Sequence, residues 1–193
     1  SVKYDIVNRH GHLANKCSIF TSEEIGFSQM TNYVENPHTV WPKEALAIIE
    51  KYGRGEDFRR MMVLDALILN IDRHLGNFGL LIDNDTLKPL GMAPVFDHNR
   101  SMLFNMDDER FMRQNMECLV DIYPRLMGEF NLNANDMLSD LIRSDLKNLS
   151  GFTFNPHGKY DWPEKRRKKY EKFLDRQIDR VLKREKLFVS RFE

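Results

Sequence analysis

The sequence predicts an α+β fold in which helices dominate and the strands come as short hairpins. Three features carry that prediction. Apolar residues near the start alternate or cluster on either side of His10-Gly11-His12, as strands do about a tight turn. Two long stretches, beginning near Glu56 and Glu164, repeat apolar residues at helical spacing. Between them an apolar run over 78–82 is followed by Asp83-Asn84-Asp85 and a second strand-like run ending at Phe96.

Composition narrows the class. A chain of 193 residues suits one domain or a large lobe of something bigger. With 41% hydrophobic and 11% aromatic residues it can build a core, which excludes bulk disorder. Lys+Arg and Asp+Glu are equal at 29 each, and the zero net charge argues against direct nucleic-acid binding, which goes with strongly basic domains. No apolar run approaches the roughly 20 residues of a bilayer span, and no signal-peptide pattern opens the chain, so no membrane partner is expected. Cys17 and Cys118 lie far apart and make no disulfide framework, which suits a reducing, cytoplasmic location. Buried packing is expected for both.

The elements follow in order. Residues 2–9 and 13–20 form the opening hairpin, and residues 21–37 are turn-rich. Pro42 starts a helix carrying Ala45, Leu46, Ile48 and Ile49 that stops at Gly53. From 56 to about 69, Phe58, Met61, Met62, Leu64, Leu67 and Ile68 give more apolar face than a surface helix needs, which predicts a central helix. The chain then runs through the polar segment 70–77 into the strand 78–82 and the strand-like Ala93-Pro94-Val95-Phe96. Further on, Asn135-Asp136 reads as the cap of a helix through Met137, Leu138, Leu141 and Ile142. Asp161-Trp162-Pro163-Glu164 reads as the capping signal of a helix burying Tyr170, Phe173, Leu174, Ile178, Val181 and Leu182.

Chemistry concentrates in 70–77 and at Asp97. Phosphoryl transfer from a nucleotide needs a carboxylate to orient or deprotonate the acceptor hydroxyl. It also needs oxygen ligands that hold Mg²⁺ against the phosphates. Asp72 and Asn77 are spaced as the Asp and Asn of a protein-kinase catalytic loop are. Asp97 ends a hairpin that starts directly after Asn77, so strand pairing returns it to the loop. Taken singly, Asp72 or Asn77 also suits loop capping after a helix. Two carboxylates about 6 Å apart at an effective dielectric near 20 repel by roughly 3 kcal/mol. Convergence of Asp72 and Asp97 therefore predicts stabilisation by magnesium and nucleotide.

Through Asn70-Ile71-Asp72-Arg73-His74-Leu75-Gly76-Asn77, Ala93-Pro94-Val95-Phe96-Asp97 and Ser101, the sequence resembles the C-terminal lobe of the HipA-like kinases. These are serine/threonine protein kinases known from bacterial toxin–antitoxin systems. The motif core spans about 57–104. The resemblance implies a protein-kinase-like C-terminal lobe, with ATP and Mg²⁺ as cofactors and a protein substrate phosphorylated on Ser or Thr. It implies Asp72 as catalytic base, Asn77 and Asp97 as Mg²⁺ ligands, and phosphate contact or loop bracing for Arg73 and His74. It divides the chain into 1–30, a hairpin and hinge-like segment from the end of a small lobe, and 31–193, the helical lobe. The latter carries a catalytic loop at 70–77 and a metal-binding loop at 94–101. Ile19 and Phe20 fall at the hinge, where adenine would hydrogen-bond the backbone.

The small lobe is expected to be largely absent. Residues 1–55 hold no glycine-rich loop, Gly53-Arg54-Gly55 reads as a helix stop, and Lys3 and Lys16 lie too near the hinge to reach phosphates. A separate small lobe or an antitoxin-type partner is the expected complement. His98-Asn99-Arg100 follows Asp97 where family members often carry glycine, and the Asp-Arg-His order is shared with lipid kinases. The alternatives are therefore a non-catalytic kinase-like binding module and a lipid or small-molecule kinase. Among weaker signals, His10, His12 and Cys17 match no zinc pattern. The basic run 165–169 reads as a solvated face pairing with Glu171, Asp175 and Asp179, and the methionines at 61, 62, 102, 106, 112 and 116 read as core filler.

Overall fold

In a computed structural model, which describes residues 2–116, 122–126 and 128–186, the strands form two sheets. β1 (Tyr4–Arg9) and β2 (His12–Cys17) pair antiparallel from Tyr4↔Cys17 to Arg9↔His12. The two turn residues His10 and Gly11 have φ of 53° and 83°, the left-handed pair that matches hairpin twist. The second sheet has the order β3 (Ile25–Gln29), β4 (Gly79–Asp83), β5 (Pro89–Met92), antiparallel throughout. β3 arises inside the segment expected to be only turns, and its partner β4 lies beyond the division expected after residue 30. Its Gly and Ser leave little local strand signal, and the pairing that makes it a strand is long-range.

The second strand of the later hairpin also falls earlier than expected, at 89–92 rather than 93–96. Ala93 N still donates to Gly79 O at 2.9 Å. Pro94 then has no N–H to continue the ladder, so the chain leaves the sheet and carries Phe96 and Asp97 to the end of a helix.

That helix is α2 (Gly55–Ile68), which follows α1 (Pro42–Glu50). As its apolar breadth predicts, α2 is central, burying Phe58, Met61, Met62, Val63, Asp65, Ala66 and Leu67. Phe58 meets Phe78 with ring centroids 5.5 Å apart, which ties the helix to the start of β4. The later helices are α3 (Asp108–Arg113), α4 (Phe130–Asp136), α5 (Asp140–Asn148) and α6 (Glu164–Lys183). Asn135-Asp136 ends α4 instead of opening a helix. The cap of α5 is Ser139, whose hydroxyl accepts from Ile142 N at 3.2 Å.

α6 starts where expected and buries Tyr170, Phe173, Leu174, Ile178 and Val181, but no side chain caps it. Asp161 pairs with Arg167 instead. Its basic run is solvated only in part. Arg166 is buried over Phe111 and Trp162 and donates to Met106 O at 3.0 Å. Lys169 Nζ donates to the carbonyls of Phe111, Met112 and Gln114, closing the end of α3. Glu171 and Asp175 accept from Phe154 N and Gly151 N rather than pairing along the helix. Met112 is exposed, unlike the other methionines of the set. Cys17 is exposed, contrary to the expected burial, because β2 belongs to a two-stranded ribbon with little to pack against; Cys118 lies outside the described residues. No helix among the described residues is long and apolar enough to cross a membrane.

Candidate active site

α2 ends in a left-handed residue, Leu69, with φ 51°. Its last turn then receives a second loop, because Met102 N donates to Ile68 O at 2.6 Å and Arg100 O accepts from Ile71 N at 3.3 Å. Segments 70–77 and 97–103 are thus laid side by side on the end of one helix. Asp97, Met102 and Leu103 all have φ near +56°, a conformation L-residues rarely hold without surrounding support.

Arg73 supplies much of that support. It is 2% exposed, and each guanidinium nitrogen has a partner. Nε and Nη2 donate to the two oxygens of Asp65 at 2.8 and 3.0 Å, a bidentate pair onto α2. Nη1 donates to both Asn77 O (2.9 Å) and Phe96 O (2.7 Å). One nitrogen therefore joins the residue before Asp97 to Asn77. Nη2 also lies 3.2 Å from His98 Nδ1. Arginine only donates, so that ring nitrogen accepts. Burial, and then the charge of Arg73, push the His98 pKa below its usual value, which keeps the ring neutral.

The other expected residues are placed as follows. Asn70, fully buried, donates to Asp65 Oδ1 and accepts from Asp72 N. Asn77 Nδ2 donates to Asp72 O at 3.2 Å, and its Oδ1 has no hydrogen-bond partner among the described residues. His74 Nδ1 accepts from Gly76 N at 3.1 Å, a contact within the loop. Asp97 N donates to Tyr4 Oη at 3.1 Å, so the β1–β2 hairpin bears directly on this loop. A cleft of about 490 Å³ is lined there by Tyr4, Asn15, Phe96, Asp97, His98 and Asn99. Phe20 packs on Phe96 and Phe27 at 5.4 and 5.8 Å, beside the cleft, while Ile19 next to it is 84% exposed.

Asp72 is not a bare carboxylate. Its Oδ1 accepts from Arg125 Nη1 at 2.9 Å and its Oδ2 lies 3.6 Å from Arg100 Nε. The negative charge of Asp72 is therefore offset by two cations. Arg125 was not legible as a site residue, and Arg100 lay in the expected metal-binding loop without an assigned role. Asp65 had one signal, a carboxylate on the buried side of a helix that ends beside an arginine. Arg125 had none, since its sequence neighbours carry no motif.

The donor set suits a hard divalent cation. Asn77 Oδ1 and the Asp97 carboxylate offer oxygen, and Mg²⁺ usually takes one or two such side chains and completes its shell with phosphates and water. No group of three or more His, Cys, Asp or Glu that could hold a metal occurs among the described residues, His10, His12 and Cys17 included.

The described residues form a mixed α+β fold of helices around small antiparallel sheets, and comparison with solved structures shows that this fold is kinase-like. The chain is similar to the crystal structure of a proinflammatory kinase of Helicobacter pylori, CtkA, with a TM-score of 0.60 at 17% sequence identity. The match covers 96% of this chain and 77% of that one. At that identity the likeness is one of fold. No protein-family model matches the sequence, and no curated protein matches it.

Proposed function

We propose that this chain carries out ATP- and Mg²⁺-dependent phosphoryl transfer to Ser or Thr of a protein, as the large lobe of a HipA-like kinase. The observation that carries the reading is the Arg73 bridge, which binds Asn77 O and Phe96 O to one nitrogen and so holds the candidate metal ligands Asn77 and Asp97 on adjoining loops. Similarity in fold to a solved kinase supports it. Asp72, steadied through its backbone by Asn70 and Asn77, would accept the proton of the acceptor hydroxyl. Asn77 and Asp97 would hold Mg²⁺, which neutralises phosphate charge when bound. Arg73 acts in this reading as a brace, since all three of its guanidinium nitrogens are bonded to the scaffold, and His74, whose Nδ1 accepts from Gly76 N, would contact phosphate or brace the loop. Ile19 and Phe20, the latter packed on Phe96, would hold the adenine. A protein substrate, and an antitoxin-type partner or a separate small lobe, are the partners that this reading implies.

The test is intact-mass measurement of the chain, and of a generic Ser/Thr protein substrate, after incubation with Mg²⁺ and ATP. Phosphate addition that disappears in Asp72→Asn and in Asp97→Asn is the expected result. Absence of any added phosphate, with ATP still bound, would favour the second reading, a binding module without turnover. The observation behind that alternative is that both carboxylate oxygens of Asp72 already face arginines.

A further inference from the structure

Building on the phosphoryl-transfer reading, we infer that Arg100 and Arg125 are specificity-determining residues that select an acceptor carrying an anionic group, carboxylate or phosphate, beside its hydroxyl. Arg125 Nη1 donates to Asp72 Oδ1 at 2.9 Å, and Arg100 Nε lies 3.6 Å from Asp72 Oδ2. Their side chains are 59% and 54% exposed, whereas that of Asp72 is 18% exposed. The arginines are thus far more exposed than the carboxylate they contact, and an acceptor that reaches Asp72 meets them.

These arginines differ from Arg73 in every respect that marks a structural role. Arg73 is buried and spends all its nitrogens on the scaffold. Among the described residues Asp72 is the only ionic partner of Arg100 and of Arg125, and Arg100 otherwise rests over the Phe104 ring at 5.9 Å. The arginine ends of these pairs are exposed, where an ion pair contributes little to stability. Arg100 and Arg125 place two guanidinium groups against the Asp72 carboxylate, which gives an anion on an acceptor two cationic partners at that position.

An acceptor hydroxyl has to come within roughly 2.6–3.2 Å of the base. To admit it, a guanidinium must release a carboxylate oxygen. A neighbouring anion on the acceptor replaces the lost contact with a fork-shaped, charge-assisted pair. A neutral acceptor offers no replacement, and a basic one adds repulsion. The arginines thus act as a cover that the right substrate exchanges for its own charge.

Three synthetic peptides sharing one Ser acceptor, flanked by Gln, by Glu or by phosphoserine, test this with the full chain. Binding is measured by calorimetry without nucleotide, so the result does not depend on turnover. At least one anionic peptide should bind tenfold or more tightly than the Gln peptide, and the tighter of the two identifies the anion. Arg125→Gln and Arg100→Gln should each shrink the gap to threefold or less, while Arg125→Lys, which keeps the charge, should recover part of it. Thermal melts of the variants should match the parent; were Arg125→Gln unfolded, Arg100→Gln decides. Equal affinity for all three peptides, no measurable binding of any, or a gap that survives in the Gln variants overturns the assignment. A gap that obeys these rules with no phosphate transferred from Mg²⁺-ATP leaves anion selection standing and removes the kinase reading instead.

Discussion

Arg73 is the residue on which the two loops depend, and its energetics are those of a buried ion pair. Removing both charges from water is costly, and the pair with Asp65 persists because every nitrogen and both carboxylate oxygens are matched. Deleting one partner leaves the other stranded. Arg73→Met is therefore expected to lower unfolding stability by about 3–5 kcal/mol, read from the midpoint of a urea denaturation. It also leaves Asn77 O and Phe96 O without their shared donor. Arg73→Lys should not restore the wild-type midpoint, because a point charge cannot reproduce the fork onto Asp65. A midpoint unchanged in Arg73→Met would show that the loops are held by something else. Arg73 stood out in the sequence only as part of a motif, with phosphate contact and bracing both open. Its burial, visible only in three dimensions, is what separates the two.

Among the elements, the helices were far more legible than the strands. α2 and α6 announce themselves because a helix buries its own neighbours at fixed spacing, so the pattern is local. β3 gives no such warning, and its existence depends on β4. The approach of those strands is closest at Gly79, where a Cβ would run into Ser28 O and lie 2.9 Å from Gln29 Cα, both backbone. Backbone cannot swing aside as a side chain can. Gly79→Ala is therefore expected to cost about 1–3 kcal/mol, the range for overpacking a close contact, visible as a lower melting temperature. A melt equal to that of the parent would mean the sheet opens there without penalty. The boundary between α4 and α5 was misread for a related reason. Asn and Asp suit either end of a helix, and the choice here was made by tertiary partners: Asn135 Nδ2 donates to Val181 O on α6, and Ser139 Oγ to Glu56 on α2.

At the scale of the whole molecule, the candidate site gathers segments from the N-terminal hairpin, the end of α2, the loop after β5 and Arg125. Val2 N donates to Val95 O, Tyr4 Oη receives Asp97 N, and Arg125 reaches Asp72 across the fold. A ligand spanning these parts should bind the folded chain alone and stabilise it. At a hundredfold excess over its Kd, Mg²⁺-ATP is expected to add about 2.7 kcal/mol. For a chain of this size each kcal/mol corresponds to about 2–4 °C, so the melting temperature should rise by roughly 5–10 °C. Asp97→Asn should reduce that rise, and EDTA should remove most of it. A melting curve that Mg²⁺-ATP leaves in place would contradict nucleotide binding by this chain.

The order Asp72, Asn77, Asp97, the α+β class, the central helix and the long final helix were all decided by sequence, because each is written in local spacing or in a short motif. What only the tertiary structure decided are the contacts between residues far apart in the chain. These are β3 beside β4, the buried Asp65–Arg73 pair that joins two loops, and the arginines over Asp72. Such contacts depend on which surfaces meet once the core has formed. Loop closure brings together residues whose neighbours along the chain hold no trace of the partner, so no local pattern encodes them.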